Sequence, residues 1–104
     1  MNKRIKAEWI KALTSGEYKK AKGTLHKNGG FCCLGVLLDA CVEGDWIYQE
    51  EKTSWAFRAE DEQLPKEIRE KFGISYHDEI ILADLNDNDG ASFKTIAKWI
   101  SNNL

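Results

Sequence analysis

Phe31-Cys32-Cys33-Leu34-Gly35-Val36-Leu37-Leu38-Asp39-Ala40-Cys41-Val42 is the stretch whose reading decides the fold. Wound as a helix, its only non-apolar positions are Gly35 and Asp39, with Glu43 just beyond. These recur every fourth residue and draw one narrow line along the helix surface. Everything else on that surface is apolar, and a helix apolar nearly all round belongs inside a core. The spacing therefore predicts a buried central helix over about 33–42, wrapped by the remaining elements. Gly35, the one place on it without side-chain bulk, should mark a close approach by another backbone or ring.

Before this stretch, Asn2 can cap a helix running to about Leu13, with Ile5, Trp9, Ile10 and Leu13 on one face and Gly16 as its stop. Tyr18 to Lys27 alternates like a strand, with Tyr18, Lys20, Lys22, Thr24 and His26 on one face. Asn28-Gly29 then writes a two-residue hairpin turn, because both central positions of a type I′ turn need positive φ. Gly30-Phe31-Cys32 supplies the return strand.

After it, Gly44 ends the helix, and Asp45–Tyr48 and Ser54–Phe57 read as a second small hairpin with a charged tip. Pro65 suits the first position of a helix through Phe72, stopped by Gly73, with Leu64, Ile68 and Phe72 inward. His77 or Asp78 starts another, with Ile81, Leu82 and Leu85 inward, and it breaks at Asn86-Asp87-Asn88-Asp89-Gly90. Ser92 caps a closing helix with Phe93, Ile96, Ala97 and Ile100 inward. Together these predict one α+β domain over 1–104, in which the N- and C-terminal helices pack on the central one and short hairpins lie at the periphery.

Composition limits the function classes. At 104 residues and 42% apolar content the chain can build a core without staples. No apolar run reaches the roughly 18 residues that span a bilayer, and no signal core follows the basic start, so the expected place is the cytoplasm, that of the host cell if the chain is phage-encoded. Three cysteines give no disulfide framework and fit a reducing compartment. The net charge of −2 conceals an asymmetry. Residues 1–31 carry eight bases and two acids, whereas residues 32–104 carry seven bases and fifteen acids. Such a division suits an anionic partner, or two halves that attract each other within the fold or between copies.

Cys32-Cys33 at a helix start is the most tempting chemical site, because a helix N-terminus can lower a thiol's pKa. A cysteine-dependent hydrolase would need His26 or His77 as its base, and neither stands in a recognisable motif. An apolar helix is also where buried cysteines belong, so both thiols read as packing groups. No metal site is expected, since no Cys-x-x-Cys pair appears. The Asp84–Ser92 segment cannot be an EF-hand: with Gly90 at the sixth loop position, Leu85 and Ile96 would have to be ligands. Its pattern resembles the first two helices of a helix-turn-helix, but its acidic surroundings would repel phosphates, so DNA binding is not expected.

The basic face offers more. Tyr18, Lys20, Lys22 and His26 combine charge with stacking surface, and Asn28, Gly29 and Gly30 add backbone donors; Arg4 and Lys6 lie nearby in sequence. Those are the groups a phosphorylated or nucleotide-like ligand requires.

Trp9-x-x-Ala12-Leu13-x-Ser15-Gly16-x-Tyr18, Cys32-Cys33-Leu34-Gly35-Val36-Leu37, Leu64-Pro65 and Leu85-Asn86-Asp87…Ser92-Phe93-x-x-Ile96-Ala97-x-x-Ile100 give the chain a wider likeness. It resembles a family of small proteins of tailed bacteriophages and prophages over nearly its whole length. That resemblance implies a phage accessory role, and many such proteins interfere with host defence, some by sequestering nucleotide immune signals. The combined expectation is a non-enzymatic binder of an anionic host ligand, such as a cyclic or linear nucleotide. It needs no cofactor and no membrane. So small a domain has little room for a deep pocket, so a site shared between copies in a homo-oligomer is expected. The competing reading is an inhibitor that docks on a host enzyme through exposed Trp46, Tyr48 and Trp55.

Overall fold

A computed structural model describes residues 1–104, and the expected α+β architecture is what it shows. Helix α1 (Lys3–Thr14) begins where Asn2 accepts the Ile5 N–H at 3.0 Å, and it buries Trp9 and Leu13. Helix α2 (Cys33–Cys41) is the central one. Every residue from Cys32 to Leu38 is buried; in the helix Asp39 and Ala40 are exposed and Cys41 is half-buried. Trp9, itself fully buried, donates its indole N–H to the Cys33 carbonyl at 2.9 Å and so fixes α1 across α2.

Helix α3 (Lys66–Phe72) follows Pro65, which caps the helix from just outside it. It stops at Gly73, whose φ of +74° is natural for glycine. Leu64, Ile68 and Phe72 are buried as expected. Helix α4 (Tyr76–Asp87) is capped by Ser75 and starts one residue earlier than the expected His77. Its buried stripe is Glu79, Leu82 and Asn86, while Ile81 and Leu85 are only half-buried. Helix α5 (Phe93–Asn103) is capped by Ser92 and buries Ile96, Ala97 and Ile100. No helix is long and apolar enough to cross a membrane.

The strands depart most from expectation. The two hairpins are not separate: β1 (Lys19–Lys20), β2 (His26–Lys27), β3 (Gly30–Phe31), β4 (Trp46–Gln49) and β5 (Ser54–Phe57) form one sheet in the order β1-β3-β2-β5-β4. His26 pairs with Trp55 to join the halves, and β1 runs parallel to β3. Residues 18–27 are therefore not one strand. The chain bends away after Ala21, with Gly23 at φ +79°, so that Leu25 can enter the core. Its N–H donates to the Asp61 carbonyl at 2.7 Å, and its own carbonyl accepts from Cys32 at 3.1 Å. Burying the leucine gains about 1.5–3 kcal/mol, and its hydrogen bonds to Asp61 and Cys32 keep its backbone satisfied without a ladder.

Candidate functional site

The residues expected to share a binding face separate into two groups. Lys20, Lys22, Asn28 and Gly30 line one open cleft of about 320 Å³, which Lys19 and Lys27 complete. Strand register explains the cleft. Lys19 and Lys27 are both Cα partners of Gly30, one across the parallel pair and one across the hairpin. Glycine between two lysines leaves a floor with no side chain, and a Cβ there would stand 3.2 Å from the Lys19 carbonyl oxygen. Asn28 and Gly29, at φ +52° and +78°, make the tight turn that brings Lys27 back beside Gly30. The bend after Ala21 brings Lys22 round to the same cleft.

None of these four lysines forms a salt bridge, although five other basic–acidic pairs do. Lys20 is half-buried and donates to the Ala91 carbonyl at 2.5 Å. Burial, and then the charge of Lys22, lowers its pKa, with Asp87 opposing. The cleft thus holds a concentration of like charge that no salt bridge neutralises.

Tyr18 and His26 are elsewhere. The Tyr18 hydroxyl donates to Asp39 at 2.7 Å, and burial together with that carboxylate pushes the phenol pKa well up. Asp39 also accepts from the Trp46 indole at 3.1 Å, so the last turn of α2 holds both flanks of the sheet. His26 lies flat on Phe31, centroids 3.9 Å apart and planes 1° apart, with Trp55 on its other side at 5.6 Å. Its Nδ1 donates to the Gly30 carbonyl at 2.7 Å. Phe31, His26, Trp55 and Tyr48 form an aromatic row across four strands, which strand-by-strand reading could not assemble. Trp46 and Trp55 are half-buried, and the exposed large apolar side chains of β4 are Ile47 and Tyr48. Arg4 pairs with Glu8 and lines a different cleft, while Lys6 donates to the Ser101 carbonyl on α5.

The family model described as Domain of unknown function (DUF8296) matches residues 1–78. The chain belongs to that family. The matched region carries α1, α2, the whole sheet and α3, and so includes all four cleft lysines. No curated protein and no solved structure matches the chain.

Cys32 and Cys33 lie within the same region. The Cys32 sulfur caps α2 by accepting the Gly35 N–H at 3.4 Å, which favours a thiolate. Burial acts more strongly, and it pushes the Cys32 thiol up to about 12 and Cys33 well above its usual value. Cys33 instead points at the Leu82 carbonyl, 3.6 Å away.

Outside the matched residues, Asn86 is the functional-looking side chain that serves structure. It is fully buried, accepts from the Cys33 N–H at 3.2 Å, and donates to the Ala21 carbonyl and to Asp87, both at 2.8 Å. Asp87 in turn accepts from Gly23 N–H at 3.0 Å. The Leu-Asn-Asp segment therefore fixes both the start of α2 and the loop that carries Lys22.

Proposed function

We propose that this chain is a non-enzymatic binder of a phosphate-bearing anion, of the nucleotide class, and that it serves a phage-type accessory role by sequestering a host signal. The observation that carries the anion reading is the cleft of Lys19, Lys20, Lys22 and Lys27, none of them salt-bridged, in a chain whose net charge is negative. Like charges held together in the free protein repel, and a bound anion converts that cost into affinity. The phage and host-signal part of the reading rests on the family resemblance of the sequence. The direction of the Cys32 and Cys33 shifts supports binding without chemistry, because an activated thiol is shifted the other way.

Thermal-shift measurement against mono-, di- and cyclic nucleotides tests the proposal. A ligand at a hundred times its dissociation constant adds about 2.7 kcal/mol to stability. The expected result is a shift that Lys22→Glu and Lys27→Glu abolish. No shift with any nucleotide or with inorganic phosphate overturns it.

One observation favours a second reading, docking on a host protein. Strand β4 is a sheet edge, and Ile47 and Tyr48 on it are 62% and 47% exposed. Such an edge suits strand addition by a partner. A captured partner lost on Ile47→Lys, with no nucleotide response, would select that reading.

A further inference from the structure

Arg58 and Ala59 occupy the centre of a tight turn closed by two hydrogen bonds between Phe57 and Glu60, at 2.8 and 3.0 Å. Both have positive φ, +50° and +70°. That is the backbone of a type I′ turn, which ordinarily takes Asn or Gly at these places. The chain uses Asn28-Gly29 at its other such turn, and Thr53, at φ +52°, is the one further side-chain-bearing residue at positive φ. Side-chain-bearing residues held at positive φ are strained, and such strain gathers at ligand sites.

The strained turn carries Arg58, which lines the largest cleft in the molecule, about 570 Å³, with its guanidinium 5.8 Å from the centroid of the Phe57 ring. This cleft lies between the first turn of α1, the end of α2 and α3, away from the four lysines. Ile5, Val42, Ile68 and Phe72 give it an apolar floor. Arg4, Arg58 and Lys71 bring three positive charges to its walls, and Glu43 and Glu67 bring two negative ones. Arg58 holds Glu67 by a single exposed contact at 3.4 Å, Arg4 holds Glu8 in the same way, and Lys71 has no salt bridge. Exposed pairs of this kind contribute little and exchange readily for a ligand.

The geometry points to a second binding site, one for an amphipathic monoanion: an apolar body that carries a single carboxylate. The body covers the floor, and the head takes the forked donors of Arg58. A single carboxylate suits the one cation without an acidic partner, Lys71, beside the weakly held Arg58, whereas a phosphate dianion would meet Glu43 and Glu67. The volume is in the range of small-molecule sites.

Sodium octanoate and 1-octanol, titrated into the full chain and followed by two-dimensional NMR, form the test. Octanoate is expected to shift the resonances of Ile5, Val42, Ile68 and Phe72, and to bind roughly tenfold tighter than octanol. Arg58→Gly relieves the strained φ, so its thermal midpoint should rise while octanoate affinity falls about tenfold and octanol affinity holds. Lys71→Gln, which leaves the turn intact, should weaken octanoate by a smaller factor. Equal binding of octanoate and octanol, octanoate affinity unchanged in Arg58→Gly, or shifts confined to the lysine cleft would each overturn the assignment.

Discussion

The carbonyl of Leu25 lies against the Cα of Gly35, so that a Cβ built on the glycine would overlap the carbonyl oxygen and stand 2.9 Å from the carbonyl carbon. Gly35 is thus the seat on which the loop after β1 rests. In an exposed helix interior, Gly→Ala gains about 1 kcal/mol. Here the obstacle is backbone anchored by hydrogen bonds at both Leu25 N–H and C=O, so overpacking at a cost of roughly 1–3 kcal/mol prevails. Gly35→Ala should destabilise in urea with an unchanged slope, and Gly35→Leu should destabilise more. A more stable Gly35→Ala would mean that the loop yields and the seat is not real.

Asn86 carries the second prediction. Its amide satisfies the Cys33 N–H and the Ala21 carbonyl in the buried interior. Replacing it by Ala leaves both without their partner, and an orphaned buried group costs about 1–3 kcal/mol. Asn86→Ala should therefore lose roughly 2–4 kcal/mol in chemical denaturation. It should also loosen amide-exchange protection at the start of α2 and in the loop around Gly23, both far from Asn86 in sequence. Protection lost only within α4 would contradict the bridging role.

These two residues show which parts of the fold were legible. Asn2, Gly16, Gly73 and Ser92 announce helix ends because capping is a local matter, and Asn28-Gly29 announces its turn for the same reason. Gly35 could be read because an apolar helix leaves only one line without bulk. The joining of the hairpins could not, since His26 and Trp55 pair across 28 intervening residues and neither carries a local mark of it. The same pairing explains the site. His26 looked like a ligand group beside lysines, but its neighbours in space are Phe31 and Trp55. Glu79 and Asn86 carry no local mark of burial, since polar helix positions usually face solvent; their burial depends on partners from Leu64, Arg69, Cys33 and Ala21. The turn at Arg58-Ala59 escaped notice because it lacks the residues that signal it.

Glu79 gives a prediction about pH. Its carboxylate is 5% exposed, accepts the Leu64 N–H at 2.7 Å and lies 3.3 Å from Arg69. Burial raises its pKa and outweighs the Leu64 N–H and Arg69, which act to lower it. A folded-state pKa above the unfolded one means that the native state holds the proton more tightly. The group's contribution to stability is therefore full below about 4.5, its ordinary value, and is lost as pH rises through the raised one. Urea unfolding of wild type and Glu79→Gln across that window isolates the contribution from other carboxylates. The difference, wild type minus variant, should fall as pH rises. A difference that grows with pH would show that the ion pair with Arg69 dominates instead.

Lys20 offers a direct physical test of the lysine cleft. Its pKa is lowered first by burial and then by the charge of Lys22. Exchanging Lys22 for Gln removes the second cause and leaves the first, so Lys20 should titrate at higher pH in the variant, though still below a free lysine. An anion in the cleft acts in the same direction by stabilising the ammonium. Saturating inorganic phosphate should raise the Lys20 midpoint in the wild type, and its affinity should decline as pH rises through that midpoint. Added salt should weaken both effects, as screening requires of open charged sites. Carbon-detected titration of the Lys20 Cε resonance reads each change without reference to stability. If Lys22→Gln raised the midpoint but phosphate did not, the lysines would be coupled to each other and the cleft would not be where an anion binds. If neither moved it, the cleft would lack the charge density on which the binding proposal rests.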